Sequence, residues 1–341
     1  MPGVTDRGLG VYDWDEQWLR PSREPAIEPE LSIIDPHHHL WDFDDRPRYT
    51  LPELQADTSE GHRVVGTVFV QCRWRYRTTG PEHLFPVGET EAVAVIAEQS
   101  ARTGSEILGI VGHADLTLGD RLDEVLAAHV EVGRGRFRGI RHSTAHDPDP
   151  AAQRSTWRPP GGLMRRPEFV AGVRRLAAFD LSYDAFLYHT QLAELVELAR
   201  QVPEVTIVLD HLGGMLGIGP YAGRRDAILA TWRSAMAELA SCPNVRVKLG
   251  GIGMAVFGLG FESRPAAPSS DDLVAAWGGP ILSTIELFGP ERCMFESNFP
   301  VDKESTSYAN LWNAFKKITA GADPAERDAL FAGTARRTYR V

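Results

Sequence analysis

The chain has 341 residues and a formal net charge of −10, with 43% hydrophobic and 24% charged residues; it can bury a large core, and nucleic acid is an improbable partner for so acidic a protein. No apolar run approaches the roughly 20 residues of a membrane span, and the first residues lack the apolar centre of a signal peptide. Cys72, Cys242 and Cys293 lie far apart without CxxC spacing, so reduced thiols in a cytoplasmic protein are expected.

Residues 1–30 show no periodicity, carry several prolines and hold Trp14 and Trp18. They read as an N-terminal arm packed on a main domain that spans 31–341. Eight apolar runs follow, at 31–35, 64–72, 107–116, 137–143, 181–187, 206–212, 245–250 and 293–299, and read as strands. Helical spacing separates them. Leu192, Leu195, Val196 and Ala199 fall at i, i+3, i+4 and i+7, and Ile228, Trp232, Ala235, Met236 and Leu239 repeat the pattern. Weaker helical patterns occupy 89–101 and 120–130. Strands alternating with helices predict a parallel sheet, and eight such units fit a closed (β/α)8 TIM barrel. The first strand is followed by no glycine-rich phosphate loop, which counts against an open doubly wound sheet. Segments 146–167 and 251–270, rich in Pro and Gly, read as loop insertions after strands four and seven.

The most informative stretch is LSIIDPHHHLWD, 31–42. A buried strand runs into Asp35, His37, His38 and His39. If the chain stays extended, Asp35, His37 and His39 share a face and His38 points away. Two imidazoles two residues apart on one face can grip one divalent ion. The other strands also end in polar groups: Gln71 and Arg73; His113 and Asp115; Arg141 and His142; Tyr188 and His189; Asp210 and His211; Lys248; Glu296, Ser297 and Asn298. In a barrel these ends converge on one mouth.

In order along the chain, IDPHHHLWD (34–42), FRGIRH (137–142), YHTQL (188–192), IVLDHLGG (207–214), VKLGG (247–251) and CMFESNFPVD (293–302) resemble the amidohydrolase superfamily. The closer likeness is to the amidohydrolase-2 branch, which holds sugar-acid lactonases and 2-pyrone-4,6-dicarboxylate lactonase. The resemblance implies a hydrolytic site at the mouth of a (β/α)8 barrel. It matches His37 and His39 to the HxH after strand one, and His189 and His211 to the histidines after strands five and six. It matches Arg141 to a position suited to an anionic substrate group. Asn298 stands where the family has an aspartate that accepts a proton from the attacking water. An amide oxygen is neutral and a poor base. Glu296, two residues earlier, is a candidate substitute; the alternative is that it pairs with Lys248 or an arginine inside the barrel. Asp302 reads as a loop carboxylate.

The catalytic candidates are therefore His37, His39, His189, His211, Asn298 and Glu296. His37, His39 and His211 are the candidate metal ligands, for one Zn2+ or Mn2+ ion if a metal is used at all. Arg73, Arg141, His142, Tyr188, Trp41 and Lys248 are the candidate substrate-binding residues. Guanidinium groups grip carboxylates bidentately, so a small anionic substrate is expected. The leading expectation is a hydrolase opening a lactone of a small carboxylate-bearing metabolite. A decarboxylase on the same barrel and a ligand-binding barrel that has lost its chemistry are the alternatives. No membrane partner is expected, and the barrel exterior leaves room for a homo-oligomer.

Overall fold

The computed structural model describes residues 12–152 and 158–341. Eight parallel strands run in chain order: β1 Ser32–His38, β2 Arg63–Val70, β3 Ile107–Gly112, β4 Phe137–Arg141, β5 Ser182–Ala185, β6 Ile207–Leu209, β7 Val245–Leu249 and β8 Cys293–Phe295. Each pairs with the next. The barrel closes at the mouth rather than along β8. Asn298 N–H donates to the His37 carbonyl (2.9 Å) and His39 N–H to the Phe299 carbonyl (2.7 Å). The ring thus closes through His37 and His39, two of the candidate site residues.

A helix follows every strand: Leu51–Thr58, Val87–Ser100, Leu122–Val132, Pro167–Arg175, Leu192–Gln201, Arg225–Ala240, Ser270–Phe288 and Tyr308–Ile318. The predicted apolar faces are the buried ones, with Leu192, Leu195, Val196 and Ala199 turned inward on one helix and Ile228, Trp232, Met236 and Leu239 on another, while Ala235 is only half-buried. The Ser269 side chain caps Ser270–Phe288 in a capping box with Asp272. Inside the barrel, Ile34, Val68, Val70, Val111, Val208 and Met294 pack against Ala332, Ala335 and Tyr339 of the C-terminal segment. A larger apolar layer fills the space between strands and helices.

Three strands stop three or more residues short of their apolar runs. β3 ends at Gly112, four residues before Leu116, and β6 at Leu209. β8 ends at Phe295 because Asn298 takes a left-handed conformation, φ +56°. The alternation of faces assumed for Glu296 and Asn298 therefore lapses. β1 also shifts register between Asp35 and His38.

Of the arm, residues 12–30 are described. The Glu24 and Ile27 amides donate to Asn310 and Asn313, and the Trp18 indole to the Arg264 carbonyl. The segments after β4 and β7 carry only short 3-10 turns, at Pro150–Ala152, Leu163–Arg165, Ala255–Phe257 and Phe261–Ser263. Residues 153–157 of the first lie outside the described part. Among the described residues no helix is long and apolar enough to cross a membrane.

Candidate active site

His37, at the end of β1, is fully buried at the centre of the site. The Glu296 Oε2 atom lies 2.7 Å from its Nδ1. On the other side of the ring, Arg141 Nη1 approaches Nε2 at 3.2 Å. Lys248 Nζ is 3.3 Å from Nδ1. A neutral imidazole offers one donor and one acceptor. The short carboxylate contact assigns the proton to Nδ1, so Nε2 accepts from Arg141.

His211 follows β6 in the left-handed region, φ +56°. Its Nδ1 contacts Glu296 Oε1 at 2.7 Å, and its backbone N–H donates to the same oxygen at 3.0 Å. Glu296 thus bridges the two rings, whose centroids are 4.6 Å apart. Burial pushes the Glu296 carboxyl up, but the neighbouring His211 and His37 rings and their hydrogen bonds outweigh this and hold it down at about 2. Two glycines after β7 make room for this pair. A Cβ on Gly250 would lie 2.2 Å from the Glu296 carbonyl oxygen and 2.3 Å from its Cγ. One on Gly251 (φ +66°) would lie 2.4 Å from His211 Nδ1.

His39 sits beside this pair, with its ring centroid 5.0 Å from that of His37. Its Nδ1 meets the Val70 carbonyl at 2.7 Å. A carbonyl only accepts, so Nδ1 carries the proton and Nε2 the lone pair. Burial and the Arg141 charge depress its pKa well below the histidine norm. The ring is therefore neutral at neutral pH. His38 turns the other way, its Nε2 3.0 Å from the Thr67 hydroxyl.

Beneath His37 lies a buried charge network. Lys248 Nζ contacts Asp184 at 2.8 Å and Asp210 at 3.0 Å. The Tyr339 hydroxyl donates to Asp184 at 2.6 Å. Burial works against the Lys248 charge, but Asp184 and Asp210 raise its pKa, so it stays an ammonium. Asp210 is ionised in turn: burial is outweighed by Lys248, His211 and Arg141. Arg141 is anchored by the Gln71 carbonyl and lies 3.8 Å from Asp210. Among the described residues its Nε and the Gln71 Oε1, both buried, find no hydrogen-bond partner.

Among the described residues, the compact group able to hold a metal ion is His37, His211 and Glu296, whose ligand atoms lie within 4.8 Å of one another. His39 stands outside that group. Two imidazoles and a carboxylate are the three-ligand set of an open catalytic site. Glu296 Oε2 and both Asp210 oxygens lack an aligned hydrogen bond. A divalent cation would satisfy such acceptors, and His37 would join it through Nε2 in exchange for its Arg141 contact, so the donor set fits one.

The remaining predicted residues are distributed around this centre. Asn298 is turned away: its amide donates to Asp302 (2.8 Å), whose other oxygen accepts from Gly253 N–H. His189 Nδ1 accepts from Leu216 N–H, and its ring lies edge-on to Tyr221. His142 packs against His113 and accepts from Leu116 N–H. Trp41 stacks on His39, while Tyr188 meets Phe186. Arg73 lies on the outer rim, and Arg75 pairs with Asp42. Asp35 does not join the histidines; it receives Ser297 N–H and the Tyr308 hydroxyl and anchors the segment after β8. The sequence reading passed over Asp184 and left Asp210 out of the site. A charged residue inside the apolar run LSYDAFL was the available signal for Asp184.

The model of the Amidohydrolase family (Amidohydro_2) matches residues 34–341. The chain belongs to the amidohydrolase family. It is 35% identical over 337 residues to the uncharacterized protein y4mH of Sinorhizobium fredii, covering 92% of this chain and 99% of that one. It is 29% identical over 325 residues to an L-fucono-1,5-lactonase of Burkholderia multivorans, covering 90% and 96%. Among solved structures it is similar to a zinc-bound amidohydrolase of Burkholderia multivorans, with a TM-score of 0.69, 26% identity and coverage of 91% and 99%. In this amidohydrolase the aspartate expected after β8 is Asn298, and the carboxylate that meets the histidines is Glu296.

Proposed function

We propose that this amidohydrolase opens the ring of a small lactone. The observation that carries the reading is the meeting of His39, His37 and Arg141 at one point of the mouth, with Arg141 3.2 Å from His37 Nε2. The likeness to L-fucono-1,5-lactonases supports the ester class. Ring opening needs a group to hold the carbonyl, a group to take the proton of water, and donors for the oxyanion. Arg141 supplies the first and third. Its buried Nε has no hydrogen-bond partner among the described residues, which leaves that donor for a substrate oxygen. His39 supplies the second, because its Nε2 is the unprotonated nitrogen of a neutral ring. Lys248 and Asp210 hold His37 and Arg141 in place.

A divalent ion, Zn2+ or Mn2+, held by His37, His211 and Glu296 would supply a bound water of lowered pKa. Glu296 meets the Nδ1 atoms of His37 and His211, which sets both tautomers.

The test is acid release from L-fucono-1,5-lactone and from carboxylate-bearing lactones by the purified protein, with metal content measured in parallel. Ring opening is expected, with a loss of about 10²-fold or more in kcat/KM for His39→Gln and for Arg141→Met. Failure to open any lactone above the blank, or release of carbon dioxide in place of acid, would overturn the reading.

A further inference from the structure

His39 and His211 stand at the mouth of the barrel, yet each is only 3% exposed. Aromatic rings cover them from two sides. Trp41, after β1, stacks on His39 with centroids 6.2 Å apart. Phe186, after β5, lies edge-on to His211 at 5.3 Å, and Tyr188 lies edge-on to Phe186 at 6.1 Å. In a ring of eight strands taken in chain order, β1 and β5 stand on opposite sides.

The N-terminal arm spans the distance between these two groups. The Tyr12 ring meets Trp41 at 6.4 Å. Burial raises the Tyr188 pKa, and Tyr12 and then Asp147 raise it further, so Tyr12 is within electrostatic reach of the far side as well. A side chain that reaches both groups lies across the mouth. Several contacts fix it there. Its backbone N–H donates to the buried Glu304 carboxylate, after β8, at 2.7 Å. Trp14 packs edge-on against Tyr49 at 6.1 Å, with the Lys303 ammonium 5.6 Å from its ring. The Arg46 guanidinium, paired with Asp45, lies 5.6 Å from the Tyr12 ring, 5.9 Å from Trp41 and 5.1 Å from Phe43. Tyr12 itself takes a left-handed φ of +61°, which a tyrosine keeps only where its surroundings enforce it.

We propose that Tyr12 is a specificity-determining residue that the N-terminal arm contributes to the site. With Trp41, Tyr188 and Phe186 it completes an aromatic roof over His39 and His211. The roof favours a compact ring that can lie flat against Tyr12 and Trp41, and it turns away esters with a bulky group. The inference rests on the hydrolase reading only for the bond that is cleaved; shielding of His39 needs no turnover.

Shielding is therefore tested first, on the full-length protein. Diethyl pyrocarbonate attacks an unprotonated imidazole nitrogen, and His39 Nε2 is one. Modification is followed by peptide mass spectrometry at His39 and at His129, which is buried on the helix Leu122–Val132. His39 should react about tenfold faster in Tyr12→Ala, and Tyr12→Phe, which keeps the ring, should stay within about twofold of the parent. His129 should react at the parent rate in both. An unchanged His39 rate in Tyr12→Ala, an equal acceleration in Tyr12→Phe, or an acceleration shared by His129 would overturn the assignment. In turnover, the kcat/KM ratio of 2-naphthyl acetate to δ-valerolactone should rise about tenfold in Tyr12→Ala, chiefly through KM. An unchanged ratio would overturn the specificity role. A protein whose His39 is shielded by Tyr12 but which cleaves neither ester would keep the roof and sink the hydrolase reading alone.

Discussion

At the scale of single residues, the site turns on one carboxylate that serves two rings. Glu296 accepts from His211 Nδ1 and from the His211 amide, and its other oxygen touches His37 Nδ1. Glu296→Gln keeps the shape but removes the charge, and an amide presents one acceptor and one donor where two acceptors are needed. Lactone opening should fall about 10–100-fold, with divalent-ion affinity falling in parallel; steady-state kinetics and equilibrium dialysis read the two effects. Asn298→Asp has a different consequence from the one its place in the sequence suggests. The new carboxylate would meet Asp302 at the 2.8 Å now spanned by a hydrogen bond. Burial already raises the Asp302 pKa well above the carboxylate norm. Two buried carboxyls at that distance must share a proton. The variant should lose roughly 1–3 kcal/mol at pH 8 and recover part of it at pH 5, as urea titrations at the two pH values will register. Equal losses at both would refute the shared-proton argument.

The elements position these residues through close backbone approach. The segment after β7 carries Gly250 and Gly251, and a methyl group on either would intrude on Glu296 or on His211. At Gly251 the positive φ adds backbone strain of about 1 kcal/mol for any residue with a Cβ. Gly250→Ala and Gly251→Ala should each lower kcat by more than tenfold while the far-UV circular dichroism stays that of the parent, because the damage is confined to the Glu296–His211 contact. Wild-type turnover in both would show that this packing has no part in the chemistry. Short strands have a related cause. β6 and β8 are only three residues long because His211 and Asn298 enter left-handed turns at their ends. Each turn aims a side chain out of the strand's alternation.

Across the whole molecule, burial of imidazoles sets the response to pH. Burial depresses His38, His62, His113 and His129 to about 4 and His142 to about 3. Burial raises Asp35 to about 6 and Glu89 to about 7. As pH falls below 6.5, the unfolded chain takes up protons that the five buried rings refuse, so stability declines toward pH 4. The two raised carboxyls act in the opposite sense, since the folded state protonates first. His37, His39 and His189 add to the rings, and Asp57, Glu60, Asp184, Glu194 and Asp302 add to the raised carboxyls, so eight rings face seven carboxyls, and each unmatched proton is worth about 1.4 kcal/mol per pH unit. Glu296 and Asp210, whose pKa values are lowered, withdraw their contribution only below about pH 4.5. The melting temperature should therefore fall modestly between pH 6.5 and 5. A flat profile across that interval would mean that these rings are not held neutral.

Much of this was legible in the chain itself. Alternation of apolar runs with helical spacing specifies eight βα units, because burial on both sides of a parallel strand demands such runs. The histidines, Arg141 and Glu296 were visible as polar groups ending those runs. Their pairing was not. Whether Glu296 meets an arginine, Lys248 or two histidines depends on contacts 85 residues apart and more, and on left-handed turns that a period-two pattern does not encode. Asp184 and Tyr339 meet across 155 residues for the same reason. Local pattern determined which residues reach the mouth of the barrel; closure of the ring through His37, His39, Asn298 and Phe299 decided which of them touch, since only closure brings the first strand against the last.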